Sequence, residues 1–485
     1  MAPRKTPGVY IEEKPAFPGS VVQVATSVPA FIGYTQHATD GHTDLTNIPR
    51  RITSMMEFET LFGSGPAPQI ARDETGHFTA APRYLLHRAM QFFFNNGGGT
   101  CWITSVGDYK GGKIETAPLL KGLKAVEKTK EITKIVIPDA VMLKDSADWA
   151  RVSNAALAQC AALKDRIAIL DLFRGDAPLN RPDFDPVSTF RNAIDSDDMS
   201  FGCAYYPWLN TNGLDAEPVD FTAFDASTLT ALRDAITAER DTLKDGRNRA
   251  KLTELLKTLA KPVKEGMIHA THQDLLQTSA TYRTWIDAAQ TAWDVMPPSA
   301  GIAGVMARTD ATTGVWKAPA NTSLTNVTSP CVEVNTAQQE DLNVPLDGKA
   351  INAIRSFQGR GVLIWGARTL DGNAQDWRYI SVRRTLIMLE QSIRLAAAAY
   401  VFSPNDESTW VTVKIMIENF LTDQWKAGAL AGAKPDEAFS VAVGLGSTMT
   451  AADVLDGRLI IQVRVAVVRP AEFMVLRIEQ QMQMS

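Results

Sequence analysis

Both ends of this chain read as β-strands with no partner in their own neighbourhood. The first is Val9-Tyr10-Ile11-Glu12, bracketed by Pro7-Gly8 before it and by Pro15 and Pro18-Gly19 after it. β-Branched and aromatic side chains favour extended backbone, and Pro-Gly pairs interrupt it. The arm therefore cannot fold back on itself as a hairpin. The last is Phe473-Met474-Val475-Leu476-Arg477-Ile478, which Pro470 cuts off from the strand before it. A strand with an unpaired edge either joins a sheet of its own chain or is added to a sheet of another. In the second case, if donor and acceptor surfaces differ, the contact builds an open helical polymer unless it closes into a ring. The chain is expected to tuck both arms in or to be a linkable subunit.

A length of 485 residues exceeds one ordinary core and suggests two or three domains. The net charge of -5 gives no basic footprint for nucleic acid. Cys101, Cys160, Cys203 and Cys331 are far apart and form no CxxC, so neither a zinc site nor a disulfide framework is expected. The basic residues near the start precede no apolar run, so no secretory signal is expected. The most apolar stretches, 395–402 and 465–468, are too short to insert in a bilayer. These features fit synthesis and folding in the cytoplasm, with thiols reduced.

Along the chain, strands alternate with helices, which implies an α/β (mixed α+β) layered fold in several domains. Strands are expected over 20–26, 28–35, 101–106, 132–137, 166–171, 203–209, 361–368 and 459–468. Helices are expected over 84–94, 149–163, 379–400 and 410–425, each with apolar residues stepping by three and four. Residues 36–82 are rich in Gly, Pro, Thr and Asp and read as a loop-rich surface insertion. In 227–260 the leucines follow helical steps among many charges, and Gly246 divides two amphipathic helices. Thr450 and Asp453 fit a capping box at the start of a short helix.

The search for chemistry is mostly negative. P-loop, GxGxxG after a strand, HExxH and GxSxG are all missing. His269 and His272 form an HxxH pair with no further ligand at suitable spacing, so no metal is expected there. Gly444-Leu445-Gly446 is expected to be a turn rather than a phosphate cradle. No catalytic residue and no cofactor is expected. One charge pattern stands out: Arg378, Arg383, Arg384 and Arg394 lie within 377–400 against Glu390 as the one acid. With the apolar stripe of that helix facing the core, the arginines project from another face. They are either solvated or paired within the subunit, or they dock an acidic partner, for which guanidinium forks suit carboxylates well.

Taken in order, these segments resemble the contractile tail sheath family of phage tails, R-type pyocins and extracellular contractile injection systems. The resemblance rests on Pro7 to Glu13, Val28 to Gly33, Phe92 to Gly98, Tyr206-Pro207-Trp208 and Pro297 to Ala300. It continues with Arg308-Thr309-Asp310, Trp316 to Asn321, Trp365 to Leu370, Tyr379 to Thr385, Phe402 to Asp406 and Pro470 to Phe473, leaving gaps at 36–82 and 215–285. It implies an N-terminal β-arm over 1–20, strands 21–35 joining an inner core, and an outer α/β domain over 36–330 with a helical insertion at 215–285. It further implies an inner domain over 331–469 and a C-terminal arm over 470–485. In that family the arms add strands to neighbouring subunits. The arm residues are here Val9, Tyr10, Ile11, Glu12, Phe473, Val475, Leu476 and Ile478. The tube-facing candidates are Arg378, Arg383, Arg384 and Arg394. The implied partners are further copies in stacked hexameric rings, an inner tube protein, and baseplate and cap proteins, without nucleic acid. The implied role is a non-enzymatic subunit, assembled in the bacterial cytoplasm, that contracts to drive the tube through a target envelope and belongs to a phage virion or, the reading favoured here, an injection particle. The single long chain departs from type VI secretion, which splits its sheath over two. A soluble α/β enzyme is the alternative that the layered pattern allows.

Overall fold

The computed structural model describes residues 20–80, 84–195, 199–214, 219–244 and 246–474. Val9, Tyr10, Ile11 and Glu12 of the first arm and Val475, Leu476 and Ile478 of the last lie outside them. The described residues form two compact units. The larger holds 25–384 and 469–474, the smaller 20–24 and 385–468.

The larger unit is built on one nine-stranded sheet. Its order is Thr322–Ser323, Gly361–Ile364, Asn352–Phe357, Gly202–Tyr206, Ile167–Asp171, Lys134–Val136, Pro29–Gly33, Cys101–Ser105, Arg50–Ile52. The six strands from Asn352–Phe357 to Cys101–Ser105 run parallel, and antiparallel strands close both edges. Pro29–Gly33, Ile167–Asp171 and Gly202–Tyr206 are buried along their full length, the continuous apolar signature of strands covered on both faces.

The covering helices start and stop where local chemistry dictates. Asp145 accepts from the Asp148 amide and begins Ser146–Leu163, which ends with Lys164 in the left-handed region at φ 53°. Helix Ser299–Thr312 packs on helix Leu86–Asn95 so closely that a Cβ on Gly304 would lie 2.5 Å from the Phe93 carbonyl oxygen. Glycine is required there by the approach of two backbones.

Four helices, Ala226–Thr242, Gly246–Leu259, Glu265–Thr278 and Ala280–Trp293, share a core with a hairpin of Ile70–Arg72 and Phe78–Ala80. Leu232, Ile236, Leu252, Leu275 and Tyr282 are buried there with Ile70 and Phe78. Gly246 separates the first two helices as expected. The insertion does not end at 285, however, because Ile286, Ala289 and Trp293 belong to the same core. Nor is 36–82 a run of loops. It supplies that hairpin, the helix Met55–Phe62 and the edge strand Arg50–Ile52. Its turn-rich composition reflects how short these elements are.

The smaller unit contains helix Glu407–Lys426, capped by Asp406, and a two-stranded antiparallel sheet of Phe439–Val443 and Ile461–Val465. The capping box is present: Thr450 Oγ1 accepts from the Asp453 amide, and Asp453 accepts from the Thr450 amide at 2.9 Å.

The units do not follow the expected divide at 331. Asn352–Phe357 and Gly361–Ile364 pair into the large sheet, and the boundary falls between Arg384 and Thr385, inside helix Ile380–Ala397. Strand Pro29–Gly33 likewise belongs to the large sheet, not to a core formed by 331–469. Residues 20–26, expected as a strand, pair with none. Their backbone is held by side chains instead, as where the Val24 amide donates to Ser392 Oγ at 3.0 Å.

Candidate assembly site

Arg383 and Arg384 do not form an outward face. From Ile380 to Leu389 the helix is buried on almost every side, with Leu386 half-buried, so its apolar stripe does not mark the one covered face. The Arg384 side chain is 4% exposed and is paired with Asp310, itself 5% exposed. Asp310 also accepts from Thr26 Oγ1 at 2.7 Å, and Arg384 donates to the Thr26 carbonyl oxygen at 3.1 Å. Lys134 Nζ reaches the same carbonyl at 3.3 Å and Ser27 Oγ. Burial, and then the nearby Arg384 charge, push the Lys134 pKa well down. Arg383 lies over the rings of Trp377 and Phe201, 3.7 and 4.1 Å from their centroids, and donates to Ser200 Oγ. Both arginines are thus buried and partnered inside the larger unit. The expectation that they face a tube fails because the pattern of a single helix does not register how many neighbours cover it. Arg378 is half-buried and donates to the Ala374 carbonyl at 3.1 Å. Arg394 is exposed and hydrogen-bonds Gln391.

The root of the C-terminal arm is fixed by a cluster that charge counting along one helix missed. The Glu472 carboxylate accepts from Arg368 Nε at 3.0 Å and from its terminal nitrogen at 2.6 Å. It also accepts from Tyr379 Oη at 3.0 Å and Asn343 Nδ2 at 2.8 Å. Burial works to raise the Glu472 pKa, but these bonds and the Arg368 charge outweigh it and hold the carboxyl below its ordinary value. Arg368, buried, spends its other terminal nitrogen on the carbonyls of Asn343 and Gly372 at 3.0 and 2.9 Å. Phe473 and Met474, which follow, are exposed. A lone acid between Pro470 and an apolar strand was the available signal.

In the smaller unit, Phe439–Val443 and Ile461–Val465 pair from Phe439 with Val465 to Val443 with Ile461. Among the described residues neither strand has a second partner strand, although just beyond Val465 the chain bridges to Leu430 at Val467, so strand addition could use only what remains of the outer edges. Among the described residues, more than half of the exposed large apolar side chains fall in this unit, including Leu395, Val401, Phe402, Val411, Ile415 and Leu455. Where such side chains adjoin, they are candidates for covering by another chain.

Among the described residues no group of three or more His, Cys, Asp or Glu is placed to hold a metal ion. His272 is buried with Nδ1 2.8 Å from Tyr282 Oη, as part of the helical core. Gly444 and Gly446 have φ of 145° and 76° in a turn after Phe439–Val443. The four thiols are free. No described helix is long and apolar enough to cross a membrane.

Comparison with known proteins decides the family. Residues 222–370 match the phage tail sheath protein central domain, and residues 373–481 match the phage tail sheath C-terminal domain. The chain belongs to the contractile tail sheath family and is a structural sheath subunit. The helical sheath of the anti-feeding prophage in its contracted state is similar over 99% of this chain and 100% of that one, at 30% identity and a TM-score of 0.64. The sheath of an extracellular contractile injection system, PVC, also contracted, is 25% identical over 99% of both chains, with a TM-score of 0.61. Among curated relatives, the tail sheath protein of Vibrio phage KVP40 is 30% identical over 131 residues, 26% of this chain and 19% of that protein. That of Burkholderia phage BcepMu is 29% identical over 153 residues, 30% of this chain and 32% of that protein. The chain thus matches less than a third of the length of these phage relatives. The central-domain match begins at 222, so most of the segment expected to fall outside the family pattern lies within it.

Proposed function

We propose that this sheath subunit polymerises helically around an inner tube and contracts, without catalysis or nucleotide, to push that tube through a target cell envelope. The observation that carries this reading is the similarity over the whole chain to a helical sheath in its contracted state. The open-edged sheet of the smaller unit supplies acceptor edges, and the strand-prone termini supply donors, so each subunit has two different surfaces that fit one another. An extended polymer of this kind is a kinetic trap, released when many small gains between subunits act together. An injection particle is favoured over a phage virion because the contracted sheath of an extracellular contractile injection system is similar over 99% of both chains, while the phage relatives match over short stretches. Its other partners would be baseplate and cap proteins, with assembly in the bacterial cytoplasm and release of the finished particle. Co-expression with the tube protein, followed by electron microscopy, tests this. Sheathed tubes are expected from the full chain, and soluble folded protomers without long sheaths from chains lacking residues 1–18 or 475–485. Ordered full-length sheaths from both truncated chains would overturn the strand-donating role of the arms.

A further inference from the structure

We infer that Glu472 is the anchor that sets where the C-terminal arm leaves its own subunit, and hence the register in which it pairs with a neighbour; this rests on the strand-donating role proposed above. Glu472 is the one side chain of 471–474 that is not exposed. Its carboxylate takes four hydrogen bonds, two of them from the fork of Arg368. Two parallel bonds to a guanidinium fix direction as well as distance. Arg368 is itself held through its main chain by the Asn352 side chain: its amide donates to Asn352 Oδ1 at 2.7 Å, and Asn352 Nδ2 donates to the carbonyls of Arg368 at 2.7 Å and Ala204 at 3.1 Å. Asn352 and Ala204 lie on neighbouring strands of the large sheet. The carboxylate is therefore two side chains away from the central sheet of the larger unit, and exposed Phe473, the first residue of the strand-prone segment, follows at once. Tension on the arm from a neighbour would be passed at this point to the sheet, not to the backbone on the far side of Pro470.

The consequence is positional. A residue added before the anchor is absorbed as slack, whereas one added after it moves the whole arm. A one-residue slip turns every side chain of a strand to the opposite face. One glycine inserted between Glu472 and Phe473 should reduce the number of ordered sheaths on tubes at least tenfold. One glycine inserted between Val468 and Arg469 should leave that number within about twofold of the parent. Glu472→Gln should remove this tolerance, so that the insertion after Val468 becomes as damaging as the one after Glu472. Sheaths are counted by electron microscopy of the full chain co-expressed with its tube, with thermal melting of the protomer as the folding control. Both insertions lie outside regular secondary structure, so the protomer should melt as the parent does. If the two insertions act alike while loss of 475–485 prevents sheaths, the anchor is wrong and the arm's role stands. An insertion harmful only after Val468 also overturns the anchor. If the chain lacking 475–485 assembles normally, the arm's role itself is wrong and the anchor falls with it.

Discussion

Asp310→Ala should destabilise the protomer strongly, although Asp310 takes no part in any expected contact with another chain. In the folded state its carboxylate accepts from both terminal nitrogens of Arg384 and from Thr26 Oγ1. Both members of the ion pair are about 5% exposed or less. Removing one leaves a guanidinium in the interior without its counter-charge, which costs about 3–5 kcal/mol. At about 1.4 kcal/mol per tenfold change, the unfolding constant should rise by roughly two to three and a half orders of magnitude. Lys134 adds to the effect, since Asp310 counters part of the burial and of the Arg384 repulsion that push its pKa down. Replacing both partners by apolar residues of similar volume, Arg384→Met with Asp310→Leu, removes the stranded charge and should recover most of the loss. Urea unfolding of dilute protomer, followed by the fluorescence of buried Trp149 and Trp208, measures all three proteins. An Asp310→Ala protomer within about 0.5 kcal/mol of the parent, an effect expected of surface changes, would refute the reasoning and restore Arg384 as an exposed docking residue.

Gly304→Ala should cost about 1–3 kcal/mol by overpacking, because the new methyl meets the Phe93 carbonyl at 2.5 Å; the same urea titration reads it. Leu275→Ala, at a fully buried position of the helical module, should cost about 2–5 kcal/mol and expose 226–293 to protease before the large sheet is cut, which mass spectrometry of the fragments would reveal. Exchange of 215–285 for a Gly-Ser linker should yield aggregated protein, since Ile70, Phe78 and Trp293 lose their partners; a soluble monomer on size-exclusion chromatography would contradict the shared core. Glu472 has its pKa lowered from the ordinary 4.5, so its contribution is complete above that pH and is lost as pH falls through the folded value. Melting curves of the parent should therefore lose stability in acid more steeply than those of Glu472→Gln.

What the sequence by itself determined is local. The strands at 29–33, 101–105, 134–136, 167–171 and 202–206 lie where apolar runs end at turn residues. The helices at 146–163, 380–397 and 407–426 follow their three- and four-residue steps, and the Thr450–Asp453 box caps its helix through contacts three residues apart. Each of these depends on neighbours in the chain, so composition and spacing carry the information. The ordered family segments likewise sufficed for the sheath assignment. Only the tertiary structure decided which elements join. The hairpin at 70–80 finds its core with helices some 150–210 residues later, and 352–364 joins the large sheet rather than the smaller unit. It also decided the fate of the charges. Arg383 and Arg384 sit at helical positions that look solvent-facing, yet Trp377, Phe201 and Asp310 cover them. Periodicity tells which residues share a face of a helix. How many faces are covered, and whether a buried charge meets its partner across 74 or 104 residues, as Arg384 meets Asp310 and Arg368 meets Glu472, depends on long-range packing that no local pattern encodes.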